Sequence, residues 1–415
     1  MNWKRPTNTL IRIIMKRNLQ YIFIGIVMAM HSLVVIGQSV EKSNFQIPYD
    51  DPNYGLFSFV EARYHHGRHL PNNGSLENIL ENPYNAFDLR VGLQSEGNKL
   101  WQQLYGYPSY GIGFYSADLG SSDTLGEPSA LFLFMNAPIK RWERFSMHWG
   151  FEIGIAYDFN NYDPVTNPRN DAIGSQVNVH LGVGVWAQYK ISSRFDGLLG
   201  LDLTHNSNGS TRTPNLGLNL YGPTLGLRYN FNPVKNYTKV IDPAYQPNAR
   251  PEFVRREVPP KPKANNLNLQ LAGGWKTTSA KDSIGNYTSP VYGIATVSVD
   301  FMHQYGHVGR YGGGIDFFVD GSLAERVEEG EEKQFEDVFQ LGYHIGHELI
   351  VDKFSFITHV GFYAFNNGGK GNFWLRFNLR YDVSERFGIQ GGLKTQNGGI
   401  ADFIEWGVHY KLLQK

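Results

Sequence analysis

The sequence predicts an all-β protein, a transmembrane antiparallel β-barrel that crosses a bilayer with strands. Three observations indicate this fold class: segments in which apolar and polar residues alternate, a composition rich in glycine and aromatic residues, and no apolar stretch after the N-terminal region that is long enough for a membrane helix. The 415-residue chain contains 46 glycines, 24 tyrosines and 27 phenylalanines. Glycine lets barrel strands curve, and aromatic side chains form rings at the membrane interfaces.

Two segments show the alternation most clearly. From Phe145 to Tyr157 and from Val177 to Tyr189, the odd-numbered residues are apolar and the even-numbered ones are mostly small or polar. This period of two is the signature of a strand, and the lengths match strands tilted across a bilayer, with apolar faces toward lipid and polar faces toward the lumen. A soluble β-sandwich also alternates, but it would not hide Arg, Glu and His behind continuous apolar faces of this length.

Charge and cysteine content exclude several classes of partner. The 38 Lys and Arg residues balance the 38 Asp and Glu residues, so the chain has no net charge that would attract nucleic acid. The sequence contains no cysteine, which excludes disulfides and thiolate metal sites.

The chain divides into four segments. Residues 1–37 are predicted to be a secretory signal peptide, because basic residues precede a short apolar run that ends at a plausible cleavage point. About eight strand segments follow in residues 55–231, and the proline-rich residues 232–266 are predicted to be a linker or long loop. Residues 267–413 again carry about eight strand segments, which form either a second barrel or the extension of one larger barrel.

The end of one alternating segment carries a candidate catalytic pair. His205 and Ser207 are two residues apart, so on a strand both side chains lie on the same face. A serine hydrolase needs a nucleophile, a base that takes its proton, and donors for the oxyanion. Ser207 and His205 match the first two roles, and Asn208, Asn215 and the N–H groups around Gly209 are candidate donors. The pair alone is equally compatible with a plain turn, because Asn-Ser-Asn-Gly is favourable turn chemistry.

The wider motif resembles a known family. The string H-x-S-N-G at residues 205–209, followed by P-N-x-G at 214–217 and a final alternating strand, is similar to the outer-membrane lipid A 3-O-deacylases, which are PagL-like and often labelled acyloxyacyl hydrolases. The resemblance covers about residues 55–231, the span of one eight-stranded barrel. It implies a Ser/His/Glu triad that cleaves an ester-linked acyl chain from lipid A and needs no metal or other cofactor. By position, Ser207 is the nucleophile and His205 the base.

The resemblance also assigns supporting residues, with one departure from the family pattern. Asn208, Gly209 and Asn215 fall on supporting or oxyanion positions. The family's acid, fourteen residues after the histidine, falls on Asn219. An asparagine accepts a hydrogen bond from imidazole and fixes its tautomer, but it does not stabilise an imidazolium as a carboxylate does. Alternation places Asn219 on the same outward face as Leu225.

The resemblance therefore implies an outer-membrane serine esterase, a carboxylic ester hydrolase that removes a 3-O-linked acyl chain from lipid A in lipopolysaccharide. Two alternatives stay open: a non-catalytic barrel whose triad has decayed at Asn219, and an outer-membrane phospholipase. The expected partners are lipid A or lipopolysaccharide and outer-membrane lipid, with no nucleic acid, and a homodimer is a further expectation. The expected location is the bacterial outer membrane after cleavage of the signal peptide.

The second half of the chain lacks the catalytic pair. When residues 189–195 are aligned with residues 381–387, Asn397 falls at the position that corresponds to His205. We therefore expect residues 267–413 to form a related barrel, or part of one, without an active site of its own.

Overall fold

The strands predicted from the alternation close into two separate barrels. A computed structural model describes residues 56–70, 82–231, 249–253, 257–260, 262, 264–328, 330–367 and 370–414. Each barrel is antiparallel and contains eight strands; strands adjacent in sequence are paired, and the first strand is paired with the last. The predicted all-β barrel fold is confirmed, and the alternative of one larger barrel is wrong.

The first barrel comprises the strands β1 to β8. Their bounds are β1 (Ser58–Leu70), β2 (Tyr84–Gln94), β3 (Ser109–Asp118), β4 (Gly126–Arg141), β5 (Phe145–Phe159), β6 (Asn178–Lys190), β7 (Phe195–Ser207) and β8 (Leu218–Asn230). Two short helices lie in its connections, α1 (Leu100–Leu104) and α2 (Ser122–Leu125).

The second barrel comprises the strands β9 to β16. Their bounds are β9 (Ala264–Lys276), β10 (Tyr292–Gln304), β11 (Gly309–Asp320), β12 (Phe339–Val351), β13 (Phe354–Asn366), β14 (Phe373–Asp382), β15 (Phe387–Gln396) and β16 (Ile400–Gln414). A 3-10 helix (Gly321–Arg326) and α3 (Phe335–Val338) connect β11 to β12. Among the described residues, no helix has the length and apolar character needed to cross a membrane.

The first and last strands of the two barrels can be placed beside the predicted segments. β1 and β8 lie within the predicted range 55–231. β9 begins at Ala264, three residues before residue 267, where the second strand region is predicted to start after the linker at 232–266. The predicted signal peptide at 1–37 and most of that linker lie outside the described residues.

Alternation separates an apolar exterior from a polar interior. In β7, Leu199 and Leu201 point outward and are 62% and 61% exposed, whereas Asp196 points inward and is fully buried. Successive residues of a barrel strand face opposite sides, so this pattern gives the first barrel an apolar outer surface. An apolar outer surface is the property that a lipid-facing barrel requires.

Ion pairs fill the lumen of the first barrel. Glu61 accepts hydrogen bonds from the Nε atoms of Arg63 and Arg228, both at 2.6 Å. Arg90 donates its Nε to Asp88 Oδ1 at 2.8 Å. A buried charge is strongly destabilising unless it is paired, so each of these lumen charges needs its partner. The pair of Arg228 with Glu61 also joins β8 to β1, which are distant in sequence.

The two ends of the first barrel have connections of different length. At the end where β1 begins, the turns at 142–144 and 191–194 are short, although 95–108 contains α1. At the opposite end, the loops at 119–125, 160–177 and 208–217 are longer. Outer-membrane barrels have short periplasmic turns and longer extracellular loops. The end that carries the β7–β8 loop, called the long-loop end below, therefore has the features of an extracellular end.

Candidate active site

Pairing of β7 with β8 brings the predicted catalytic residues together. His205 lies directly opposite Asn219 in this antiparallel pair, and the register runs without a break past Pro223. Ser207 is the last residue of β7, at the long-loop end. The outward parity that the sequence predicts for Asn219 is therefore preserved, since a bulge at Pro223 would have reversed it.

Hydrogen bonds connect the three side chains in series. His205 Nε2 is 2.8 Å from Ser207 Oγ, and His205 Nδ1 is 2.7 Å from Asn219 Oδ1. The amide oxygen of Asn219 accepts the Nδ1–H bond, which leaves Nε2 as the acceptor for the serine hydroxyl. This is the tautomer that a general base needs to remove the serine proton.

The series lies on the outward face of the barrel. His205 and Asn219 are partly exposed, and Leu201 and Leu225 continue the same face as highly exposed apolar residues. Ser207 is buried, with 8% of its surface exposed. The only carboxylate of β7 near this point, Asp202, faces inward and accepts hydrogen bonds from His65 and Thr224, so it does not orient His205.

The loop after Ser207 holds the predicted oxyanion residues in a compact turn. The Asn208 N–H donates to Asn215 Oδ1 at 2.9 Å, and the Arg212 N–H donates to Asn208 Oδ1 at 3.3 Å. These bonds orient both amides with the oxygen toward the loop backbone. The Nδ2 atoms of Asn208 and Asn215 are buried, and neither has a hydrogen-bond partner among the described residues. These two Nδ2 groups are therefore candidate donors in the loop that follows Ser207.

The chain falls into two units by its contacts, and Asn208–Asn215 belongs to the unit of the second barrel. Within that unit, the Thr277 N–H donates to the Ser210 carbonyl at 2.9 Å, and the Thr213 N–H donates to Thr277 Oγ1 at 2.8 Å. Gly209 has a φ of +60°, and a Cβ there would be 2.4 Å from Ile404 Cγ1. The glycine of the motif is therefore required by backbone conformation and close packing.

Gly217 is a site residue that the sequence analysis did not assign to a role. Its φ is +75°, and a Cβ there would lie 2.8 Å from His205 Cε1. The β5–β6 loop fixes this position, because the Gly217 N–H donates to the Ala172 carbonyl at 3.0 Å. The absence of a side chain at Gly217 thus leaves room for the imidazole. The glycine that ends the P-N-x-G string at residues 214–217 is the signal in the sequence that points to this position.

A cluster of possible metal ligands lies inside the second barrel, away from these residues in sequence. Asp300, His344 and His359 bring one candidate ligand atom each to within 4.8 Å of one another. Both ring nitrogens of His344 are already engaged by carboxylates, Asp316 Oδ2 at 2.5 Å and Asp300 Oδ1 at 3.2 Å. Arg376 Nη1 is 2.7 Å from the same Asp316. A cationic side chain in contact with Asp316, which itself pairs with His344, fits an ion-pair network better than a cation site.

Comparison with known proteins gives two family matches. The model of a family described as lipid A 3-O-deacylase (PagL) matches residues 85–228. The model described as acyloxyacyl hydrolase, C-terminal domain, matches residues 265–415. No curated protein is significantly similar to the chain.

Solved structures with similarity to the chain include three barrels. The outer membrane enzyme PagL is 16% identical with a TM-score of 0.27, and the match covers 41% of this chain and 98% of that one. Neisserial surface protein A is 10% identical with a TM-score of 0.30, and the match covers 42% of this chain and 97% of that one. The N-terminal β-barrel domain of Pseudomonas aeruginosa OprF is 11% identical with a TM-score of 0.26, and the match covers 43% of this chain and 99% of that one.

The two family models account for most of the strands of both barrels, and the first of them includes β7, β8 and the loop between them. The chain belongs to the family of the PagL-like lipid A 3-O-deacylases, or acyloxyacyl hydrolases.

Proposed function

We propose that the protein is an outer-membrane serine esterase that removes an ester-linked 3-O-acyl chain from lipid A. The observation that carries the proposal is the hydrogen-bonded series Ser207–His205–Asn219 on the outward face of a closed barrel. A nucleophile and its base on an outward, apolar face point toward the side of the barrel on which a membrane substrate lies. Family membership supports the same reaction.

The depth of the pair within the membrane supports a lipid substrate. Phe195, Tyr229 and Phe231 form an aromatic cluster at the opposite end, with neighbouring ring centroids 5.1 Å apart, as expected at an interface. His205 follows Phe195 by ten residues, which at about 3.3 Å per residue and a tilt of about 40° amounts to about 25 Å along the membrane normal. That height equals the usual apolar band of about 25 Å, so the pair would lie at the outer interface, where ester bonds of lipid A are found.

The reaction follows from the tautomer of His205. Ser207 Oγ attacks the acyl carbonyl while its proton passes to His205 Nε2, and the carbonyl oxygen becomes an oxyanion. Collapse of this intermediate breaks the ester C–O bond, and His205 returns the proton to the departing sugar hydroxyl. Water then attacks the acyl-serine in the same way, releases the fatty acid and restores Ser207. The proposed steps use only side chains of this chain and water.

The two orphaned amides are the proposed oxyanion donors. Asn208 and Asn215 each use the side-chain oxygen to hold the loop, and their buried Nδ2 groups have no hydrogen-bond partner in the part of the chain that the structure describes. Donors fixed before the reaction stabilise developing charge without reorganisation. In this proposal, Gly209 contributes backbone geometry that lets the loop close, and not a side-chain contact.

Replacement of either amide by a carboxylate separates loop structure from oxyanion binding. Asn215→Asp keeps the oxygen that accepts the Asn208 N–H bond but removes the Nδ2 donor, and Asn208→Asp does the same for its own bond. We expect each variant to lower kcat by about 10²–10³-fold with a smaller change in KM, as found for lost oxyanion donors. Steady-state kinetics on lipid A in detergent measure this. Wild-type kcat in Asn215→Asp, with only Asn215→Ala impaired, would assign the residue to loop structure alone.

Asn219, the uncharged third residue of the series, allows its effect on His205 to be tested by substitution. Asn219→Ala removes the acceptor that fixes the tautomer, so we expect kcat to fall by about 10²-fold. Asn219→Asp keeps the same geometry and adds a charge that stabilises the imidazolium, so we expect kcat to rise by about 10-fold. The acidic limb of the pH–rate profile should move to higher pH in Asn219→Asp, because the carboxylate favours the protonated imidazole, which is inactive as a base. If both variants keep the wild-type kcat and profile, another group orients His205.

A substrate panel tests the proposed function against its alternatives. Purified full-length protein in detergent is incubated with lipid A and, separately, with a diacyl phospholipid, and the products are analysed by mass spectrometry. The proposal predicts loss of one hydroxyacyl chain from lipid A and intact phospholipid. Lysophospholipid with intact lipid A would indicate a phospholipase, and no product from either lipid would indicate a non-catalytic barrel.

A further inference from the structure

A basic side chain lies on the outward face of β1, close to the candidate active site in the same barrel. Arg68 pairs with Tyr221 of β8, and Tyr221 pairs in turn with Leu203 of β7. Leu203 is one outward-facing position before His205. Neighbouring strands are about 4.8 Å apart and successive same-face residues about 7 Å apart, so the backbones of Arg68 and His205 are separated by about 12 Å. An arginine side chain and a glycolipid headgroup together can bridge this distance.

The Arg68 side chain is exposed on the outward face of β1, unlike its inward-facing neighbours Gly67 and His69. Within the residue ranges that the structure describes, no group forms a hydrogen bond or ion pair with its guanidinium. A cation on a lipid-facing position is unfavourable unless its head reaches an interface or an anion.

The height of Arg68 places its head among lipid headgroups. Val60, eight residues earlier on β1, pairs with Tyr229 of the aromatic cluster. Eight residues of a tilted strand correspond to about 20 Å, so the Arg68 backbone lies just inside the outer edge of an apolar band of about 25 Å. An arginine at this depth extends its long side chain outward until the guanidinium reaches the interface.

The described strands on the other side of the barrel carry acidic residues at this end. Exposed acidic residues at the long-loop ends of β3, β4 and β5 are Asp118, Glu127 and Asp158. These strands lie across the barrel from β8 and β1. Among the described strand ends, these acidic positions disfavour an anionic headgroup beside β3 to β5, whereas exposed Arg68 favours one beside β1.

We propose that Arg68 is a specificity-determining residue that binds a phosphate of the lipid whose acyl ester enters the site at Ser207. The proposal rests on the proposed function, because it assigns the headgroup of that same substrate. Guanidinium binds phosphate through two parallel N–H···O bonds, which adds orientation to charge. Arg68 thereby selects phosphorylated lipid and holds it with the ester near Ser207.

Hydrolysis of a matched pair of substrates tests the selection. The substrates are phosphorylated lipid A and the same lipid A after removal of its phosphate by a phosphatase, both in dodecyl maltoside micelles. We expect Arg68→Gln to raise KM for the phosphorylated substrate by about 10–100-fold, with less than about a 2-fold change for the other. Arg68→Lys should recover part of the loss. Arg194→Gln, an exposed arginine at the opposite end of the same barrel, is the control and should behave as wild type. An equal effect of Arg68→Gln on both substrates would overturn the proposal.

Binding measured without turnover separates this proposal from the proposed function. In a Ser207→Ala background, Arg68→Gln should weaken binding of phosphorylated lipid A by about 10–100-fold and leave dephosphorylated lipid A unchanged. Binding to phosphatidylglycerol in dodecyl maltoside micelles shows whether a phosphate group without the lipid A sugar is sufficient for binding through Arg68. Selective binding in a protein that hydrolyses nothing would keep the proposal and reject the esterase, whereas hydrolysis without any dependence on Arg68 would do the reverse.

Discussion

Ser207→Ala should abolish lipid A deacylation while the barrel still folds. The variant removes the atom that forms the acyl-enzyme in the proposed mechanism, so we expect kcat to fall by about 10⁴-fold or more. Ser207 lies at the end of β7 on the outward face, and its Oγ is hydrogen bonded to His205, so its loss leaves the lumen network unchanged. Kinetics on purified lipid A in detergent give the rate, and heat-modifiable gel mobility shows that the barrel is closed.

A matched serine provides the control. Ser129 lies on β4 of the same barrel near the long-loop end, and its Oγ is 3.4 Å from Ser116 Oγ. Ser129→Ala should keep wild-type activity and mobility. A folded Ser207→Ala protein with wild-type kcat would remove Ser207 from the mechanism.

His205→Gln should cause a loss of nearly the same size. Glutamine keeps a polar side chain on the outward face but has no basic nitrogen that accepts the serine proton. General-base catalysis contributes about 10²–10⁴-fold, and loss of the base in a serine hydrolase costs about as much as loss of the serine itself. Because the two residues act as one unit, the double variant Ser207→Ala/His205→Gln should be no slower than Ser207→Ala.

The second barrel supplies a close control for the histidine. His303 of β10 also has an outward position, and its Nδ1 is 2.8 Å from Asn265 Oδ1, so it repeats the His–Asn contact of the site. His303→Gln should leave activity unchanged. Additive losses in the double variant, or equal losses from His205→Gln and His303→Gln, would indicate a general effect on the barrels.

The outward and inward faces of the strands follow directly from the sequence. The alternation from Phe145 to Tyr157 corresponds to β5, and the alternation from Val177 to Tyr189 corresponds to β6, with shifts of one or two residues at the ends. The same parity rule places Asn219 on the face of Leu225, and the register of β8 confirms it. Parity is predictable because a period of two leaves only two choices for each strand.

Closure and loop geometry are not contained in that pattern. Pairing of β1 with β8, and of β9 with β16, decides between two barrels and one, but an edge strand and a paired strand alternate in the same way. The orientation of the Asn208 and Asn215 Nδ2 groups depends on which backbone N–H each side-chain oxygen accepts. Arg68 becomes relevant only through its register with Tyr221, across a strand that is distant in sequence.

Mass spectrometry of lipid A from living cells tests the central claim most directly. Cells that produce the full-length protein, the Ser207→Ala variant or neither are grown in parallel, and their lipid A is extracted. The proposed esterase function predicts that lipid A loses the mass of one 3-O-linked hydroxyacyl chain only in the cells that produce the wild-type protein. Identical lipid A in all three cultures, with folded protein present in the outer membrane, would contradict it.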